Sequence, residues 1–203
     1  RIIDATIRII GLKGSVHMTL AEVGEAAGYS RGLPAAIFGT KEELILRTAR
    51  SFVESPDALS LFSVSPGSGL SEMLAMIQRW FVMTKKTADD SRGLFVLLTE
   101  MMPTEVAKRS PALRQVVQAL DHAARARFRD LLACGKERGE VRPEIDIDTE
   151  AIFILGMIRG ILWEWIMTPA SIDLVKVGKI YTDELRRKLE ARPQLGQRRV
   201  RAR

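Results

Sequence analysis

This sequence has little of what enzymes, secreted proteins or membrane proteins are built with. Cys134 is the one cysteine among 203 residues, so no intramolecular disulfide can form, and the thiol reads as a small apolar residue in a reducing compartment. His17 and His122 are the only histidines, far apart and without metal-ligand spacing. No nucleophile motif and no glycine-rich phosphate loop accompanies them, so no enzyme class is indicated and neither metal nor cofactor is expected. The longest apolar run, residues 151–168, is interrupted by Arg159 and Glu164 and is short for a bilayer span. No basic region leads into an apolar signal segment at the start. The expectation is a soluble cytoplasmic protein with no membrane partner. Strand-like alternation is nowhere sustained and nothing repeats at a fixed period, which leaves an all-α chain.

What is present begins with 46% apolar residues, ample for a core, and a formal charge of +6. That charge is not concentrated where it would identify a nucleic-acid site. Residues 1–50 carry seven Lys or Arg against five Asp or Glu, whereas residues 192–203 carry five Arg and no acid. The basic end, 194–203, reads as a solvated disordered tail, with a non-specific phosphate contact as the other reading.

The most informative stretch is residues 19–44, three short helical pieces with their own start and stop signals. Thr19 with Glu22 forms a capping box and starts a helix at Leu20. Leu20, Val23 and Ala27 make its apolar stripe, and Gly28 stands where a left-handed terminal residue is needed. Tyr29 bridges the turn, Ser30 can cap the next helix with Arg31 in its first turn, and Thr40 with Glu43 makes a second box. Two boxes thus bracket a helix of about seven or eight residues, one that can lie in a DNA major groove while its predecessor crosses the backbone.

Around this unit, residues 1–13 are a helix with Ile3, Ile7 and Ile10 on one stripe, ended by Gly14. A fourth helix after Lys41 carries Leu44, Ile45, Thr48 and Phe52, so residues 1–54 form a first domain. Residues 55–69 connect it to a second, 55–193, made of longer helices. Leu70, Met73, Leu74, Ile77, Phe81 and Thr84 mark the first of these, and Leu94, Phe95, Leu97, Leu98 and Met101 the next, ended by Pro103. Ser110-Pro111 opens a helix to about residue 138. Asp148 caps an apolar helix to 168, and a last helix spans about 172–191.

The run AEVGEAAGYSRGLPAAIFGTKEELI resembles the DNA-binding signature of the TetR family of one-component transcriptional regulators, with Gly28, Ser30, Gly32, Phe38, Lys41, Glu42 and Leu44 in place. Further on, EVRPEIDIDTEAIFILGMIRGILWEWIMTP looks like that family's entry into two helices that pair between subunits. The resemblance implies a homodimer that binds double-stranded operator DNA, most simply as a repressor, and that holds a small molecule in its larger domain.

Residue by residue, Thr19, Thr40 and Lys41 sit at helix N-termini, which favour phosphate, although capping alone accounts for both threonines. Arg31 suits guanine or phosphate, or is simply a surface arginine. Where the family commonly has tyrosine and histidine, this chain has Ala35, Ala36 and Ile37. Either these approach thymine methyls, leaving polar work to Tyr29, Ser30, Arg31 and Lys41, or some of them pack inward, with Ile37 favoured as core. A protein whose DNA-reading helix has decayed is the rival class.

In the larger domain, Met73, Met76, Trp80, Met83 and Phe95 with Met101, Phe128, Phe153 and Met157 supply adaptable surface for an apolar or aromatic ligand; ordinary core packing is the alternative. Gly156 and Gly160 lie one turn apart and permit close helix approach. With Trp163, Val177, Tyr181 and Leu185 they suit a two-fold interface or packing within the chain equally well. Arg159 and Glu164 could serve a pocket, an intersubunit pair or an exposed edge.

Overall fold

The computed structural model describes residues 1–54, 68–100 and 110–191. Met101 and the basic tail lie outside the described residues. Within the described residues the chain is helical: α1 (Ile2–His17), α2 (Leu20–Ala26), α3 (Leu33–Phe38), α4 (Lys41–Val53), α5 (Leu70–Lys86), α6 (Ala88–Glu100), α7 (Pro111–Glu137), α8 (Ile147–Met167) and α9 (Leu174–Leu189).

Ala5, Ile7 and Ile10 turn the apolar face of α1 inward. Gly14 breaks that helix with φ 80 and ψ 163, but one further turn follows to His17, so the glycine kinks the segment instead of ending it. Helix α2 opens on the expected capping box: the Thr19 hydroxyl accepts from the Glu22 N–H at 3.3 Å and Glu22 accepts from the Thr19 N–H at 3.0 Å. Gly28 closes it at φ 77.

The next helix starts later than its cap signal suggests. Its N-cap is Gly32, not Ser30, and Arg31 stands in the turn before it. Proline explains the shift. Were Ser30 the cap, Pro34 would be the first residue obliged to donate to the cap carbonyl, and it has no N–H; starting at Leu33 puts it inside the first turn, where no donor is needed. The second capping box is half formed. Thr40 accepts from the Glu43 N–H at 3.1 Å, but its own N–H is taken by the Phe38 carbonyl at 2.9 Å, leaving Glu43 nothing to bond back to.

Two cores form. Ala5, Ile10, Met18, Val23, Ala27, Leu44, Ile45, Leu46 and Ala49 make the first, which is completed by Leu97 of α6 and Leu113 of α7. The second gathers Met73, Ile77, Phe81, Phe128, Leu132, Ile154, Ile158 and Leu189 from α5, α7, α8 and α9. Helix α6 belongs to both regions. It crosses α1 so closely that a Cβ on Gly93 would overlap the Ile7 carbonyl oxygen. At its end, the Glu100 carboxylate accepts from the Ser15 N–H at 3.0 and 3.2 Å, just past the kink in α1.

The start of α8 also differs from expectation. Asp146, not Asp148, is the cap, accepting from the N–H groups of Asp148 (2.9 Å) and Thr149 (3.1 Å). Asp148 instead pairs with Arg129 of α7 at 2.5 Å. Pro111 sits in the first turn of α7 as expected, with no side-chain cap from Ser110.

Candidate nucleic-acid interface

The first domain presents α3 outward because α2 and the turn hold it from behind. Gly24 is what permits this: a Cβ there would lie 2.5 Å from the Ser30 carbonyl oxygen and 3.1 Å from Pro34. The Tyr29 N–H donates to the Gly24 carbonyl at 2.8 Å, which fixes the turn over that gap. Pro34 is buried and Phe38 packs partly on the first core, so these two define the inner stripe of α3. Ala35, Ala36 and Ile37 are exposed. Ile37, expected to be core, is 57% exposed, because on so short a helix it falls about 80° from the centre of the Pro34–Phe38 stripe.

The polar candidates surround this apolar face. Tyr29 and Ser30 are exposed in the turn, and Arg31 is exposed with its Nε 3.4 Å from Glu25, a surface pair of little energetic weight. Thr19 and Thr40 are exposed caps. Lys41 commits its ammonium to the Val16 carbonyl at 2.8 Å, using one of three donors and tying the start of α4 to the end of α1. Sequence reasoning missed that tie, and also the pair between Lys13 and Glu22 at 2.6 Å.

The Lys13 ammonium and then the Thr19 hydroxyl and N–H hold the Glu22 carboxyl at about 2, below its ordinary 4.5. A depressed carboxylate stabilises the fold fully above its unfolded pKa and loses that contribution as pH falls through the folded one. Acid unfolding followed by circular dichroism is therefore expected to lose the α2 cap contribution between about pH 4.5 and 2, and Glu22→Gln to flatten that part of the profile.

In the larger domain the candidate ligand residues separate into three groups. Met73, Met76 and Phe128 are fully buried core. Trp80, Met83 and Phe95 are half-buried, with the Phe95 ring 6.0 Å from that of Trp163. Phe153 and Met157, expected with the pocket, stand instead on the outer face of α8. This helix is apolar all round, and the stripe through Ala151, Ile154, Leu155, Ile158 and Leu162 is the one turned inward.

That outer face carries Ile152, Phe153, Met157, Trp163 and Met167, each 48–61% exposed, around Gly156 and Gly160, above which nothing lies within 4 Å. Val177 and Tyr181 of α9 are half-buried, the Tyr181 hydroxyl donating to the Ile154 carbonyl at 3.4 Å. Burial, reinforced by the Glu150 charge, pushes the Tyr181 phenol up. Leu185, expected at a subunit interface, is buried in the core of its own chain because it lies on the inward stripe of α9. Arg159 finds Asp121 of α7 at 2.6 Å, and Asp121 also holds Arg125 at 2.6 Å. Among the described residues no cluster of His, Cys, Asp and Glu could hold a metal, and no helix is long and apolar enough to cross a membrane.

A capped helix-turn-helix joined through shared helices to a second helical domain is the architecture of a helix-turn-helix DNA-binding protein. Residues 101–190 match the family model described as the C-terminal part of BetI-type transcriptional repressors. The chain is 26% identical over 186 residues to the probable HTH-type transcriptional regulator ArpR of Pseudomonas putida, covering 86% of this chain and 83% of that protein. Among solved structures, the SmeT–triclosan complex superposes with a TM-score of 0.74 at 20% identity, over 93% of this chain and 90% of that one. The TetR family regulator PfmR from Thermus thermophilus superposes at 0.72 with 19% identity, over 94% and 99%. In sequence and in fold the chain is thus similar to the TetR family of transcriptional regulators.

Proposed function

We propose that this protein is a cytoplasmic homodimeric repressor that binds a palindromic operator through residues 1–54 and leaves it when a small apolar or aromatic molecule binds in the larger domain. The observation that carries the reading is the helix-turn-helix itself, with α3 held outward by Pro34, Phe38 and the Gly24 contact. Two such helices must stand about 34–36 Å apart to enter successive major grooves, which requires two subunits. The outer face of α8 is the surface we assign to that pairing, since its two glycines leave room for a partner helix and its large apolar side chains would otherwise face water.

The effector would enter beside Trp80, Met83 and Phe95, half-buried aromatic and methionine side chains next to the packed core, with the exposed Trp163 at their edge. Support for an aromatic effector comes from SmeT, whose structure was solved as a triclosan complex. Besides α4, α6 supplies a route from the effector to the first domain, since the Phe95 and Trp163 rings lie 6.0 Å apart while Gly93 and Glu100 hold α1. Any effector must favour the DNA-incompetent state, and moving a 1:99 equilibrium to 99:1 takes about 5.5 kcal/mol of differential affinity.

Selecting duplexes from a random library with the full chain, then titrating triclosan into the complex, tests the proposal. Enrichment of an inverted repeat and release by a bound aromatic compound are expected. Failure to enrich any repeat would favour a second reading, a small-molecule-binding protein with a degenerate DNA-reading helix, which the absence of polar side chains on α3 supports.

A further inference from the structure

Helix α3 consists of Leu33, Pro34, Ala35, Ala36, Ile37 and Phe38, and none of these side chains can donate or accept a hydrogen bond. Three of them, Pro34, Leu33 and Phe38, are buried or half-buried against the domain, and Ala35, Ala36 and Ile37 remain outside. The polar neighbours lie off the helix. Arg31 and Ser30 precede it in the turn, Thr40 follows as a cap, and Lys41 is bonded to the Val16 carbonyl. Thr40 and Lys41 stand at the start of α4, where a helix N-terminus favours phosphate, and Arg31 suits guanine or phosphate from the turn, so no polar group reads bases from α3 itself.

In the major groove every base pair offers donors and acceptors, but only thymine offers an apolar group, its C5-methyl. An isoleucine pressed against guanine or cytosine would strip water from groups it cannot satisfy, whereas against the thymine methyl it removes apolar surface from water on both sides. The same side chain therefore favours one base and rejects others. The two alanines keep the helix backbone close to the groove, and Ile37, the longest exposed side chain on α3, reaches furthest from it.

We infer that Ile37 is the specificity-determining residue of this protein, recognising a thymine C5-methyl in each half-site by apolar contact. The inference rests on operator binding as proposed above and narrows what that operator contains. It also gives the apolar α3 a function, so that the missing tyrosine and histidine mark a change in readout and not a loss of it.

Replacing thymine by deoxyuridine removes the methyl and nothing else, so the DNA can be altered without touching the protein. The experiment measures the binding of full-length protein to the selected inverted repeat, to the same repeat with every half-site thymine replaced by deoxyuridine, and to a scrambled duplex. Wild type is expected to lose about fourfold per methyl contacted, and roughly an order of magnitude over two half-sites. Ile37→Ala, at an exposed position that does not threaten folding, is expected to bind the thymine duplex more weakly and to no longer distinguish it from the deoxyuridine one. Equal wild-type affinity for both, with both preferred over scrambled DNA, overturns the inference and leaves operator binding standing. A deoxyuridine penalty that survives in Ile37→Ala overturns the assignment to Ile37. No preference over scrambled DNA overturns operator binding and the inference with it.

Discussion

Gly93→Ala is expected to be the most damaging single methyl this protein can receive. The added carbon would overlap the Ile7 carbonyl oxygen and lie 2.9 Å from its carbonyl carbon, and a helix backbone, unlike a side-chain tip, has no rotamer with which to yield. Helices α1 and α6 must separate, which withdraws Leu97 from the first core and strains the Glu100 bonds to Ser15. Overpacking of this kind costs about 1–3 kcal/mol or more, against a total stability of about 5–15 kcal/mol. For a chain of this length that corresponds to a fall in thermal midpoint of about 5–10 °C. Gly32→Ala supplies the contrast, since its backbone is at φ −84 and nothing lies within 4 Å of the new carbon; its midpoint is expected to stay or rise slightly. Calorimetry on the two variants and wild type checks both, and equal midpoints would show that α1 and α6 do not meet at Gly93.

Gly160→Arg is expected to produce the opposite combination, a normally folded chain that no longer pairs. Nothing within 4 Å of Gly160 resists a side chain, so the subunit's own fold should keep its melting behaviour apart from what the partner contributes. Across a two-fold axis, however, the new guanidinium would meet the partner's apolar face, leaving a charge desolvated beside Trp163 and Met167. Monomers would appear by analytical ultracentrifugation at micromolar concentration. Operator affinity should fall by about two orders of magnitude or more, because the second half-site would no longer be engaged by a tethered partner. A Gly160→Arg chain that still sediments as a dimer would mean that subunits pair through another surface.

Local chemistry made much of this molecule legible in its sequence. The Thr19–Glu22 box, Gly28 in the turn and Pro111 in the first turn of α7 each depend on residues within one turn of helix, and each stands as expected. Where local signals competed, sequence reasoning picked the wrong one. Ser30 and Asp148 are both good caps by type, but Pro34 forces α3 to begin later, and Asp146 starts α8 two residues earlier by accepting from the N–H groups of Asp148 and Thr149.

The candidate sites were harder to place, because periodicity on a helix apolar all round does not say which face is inside. Phe153 and Met157 sit one position from Ile154 and Ile158, which are fully buried, and only packing against α7 and α9 distinguishes them. The same ambiguity put Ile37 in the core, whereas α9 is amphipathic and its apolar stripe does not say whether Leu185 packs within its own chain or against another. Contacts between distant residues left no signal at all: Glu100 and Ser15 are separated by 85 positions, and Gly11 and Gly93 look like ordinary helix interruptions until their helices cross.

The central claim, that α3 brings a dimer onto an inverted repeat, is tested most directly by fluorescence anisotropy of the selected duplex against a scrambled one across a salt series. Two chains per duplex are expected, with a preference of about a thousandfold or more for the repeat and affinity for both duplexes falling as salt rises. Equal affinity for repeat and scrambled DNA at every salt concentration would contradict it.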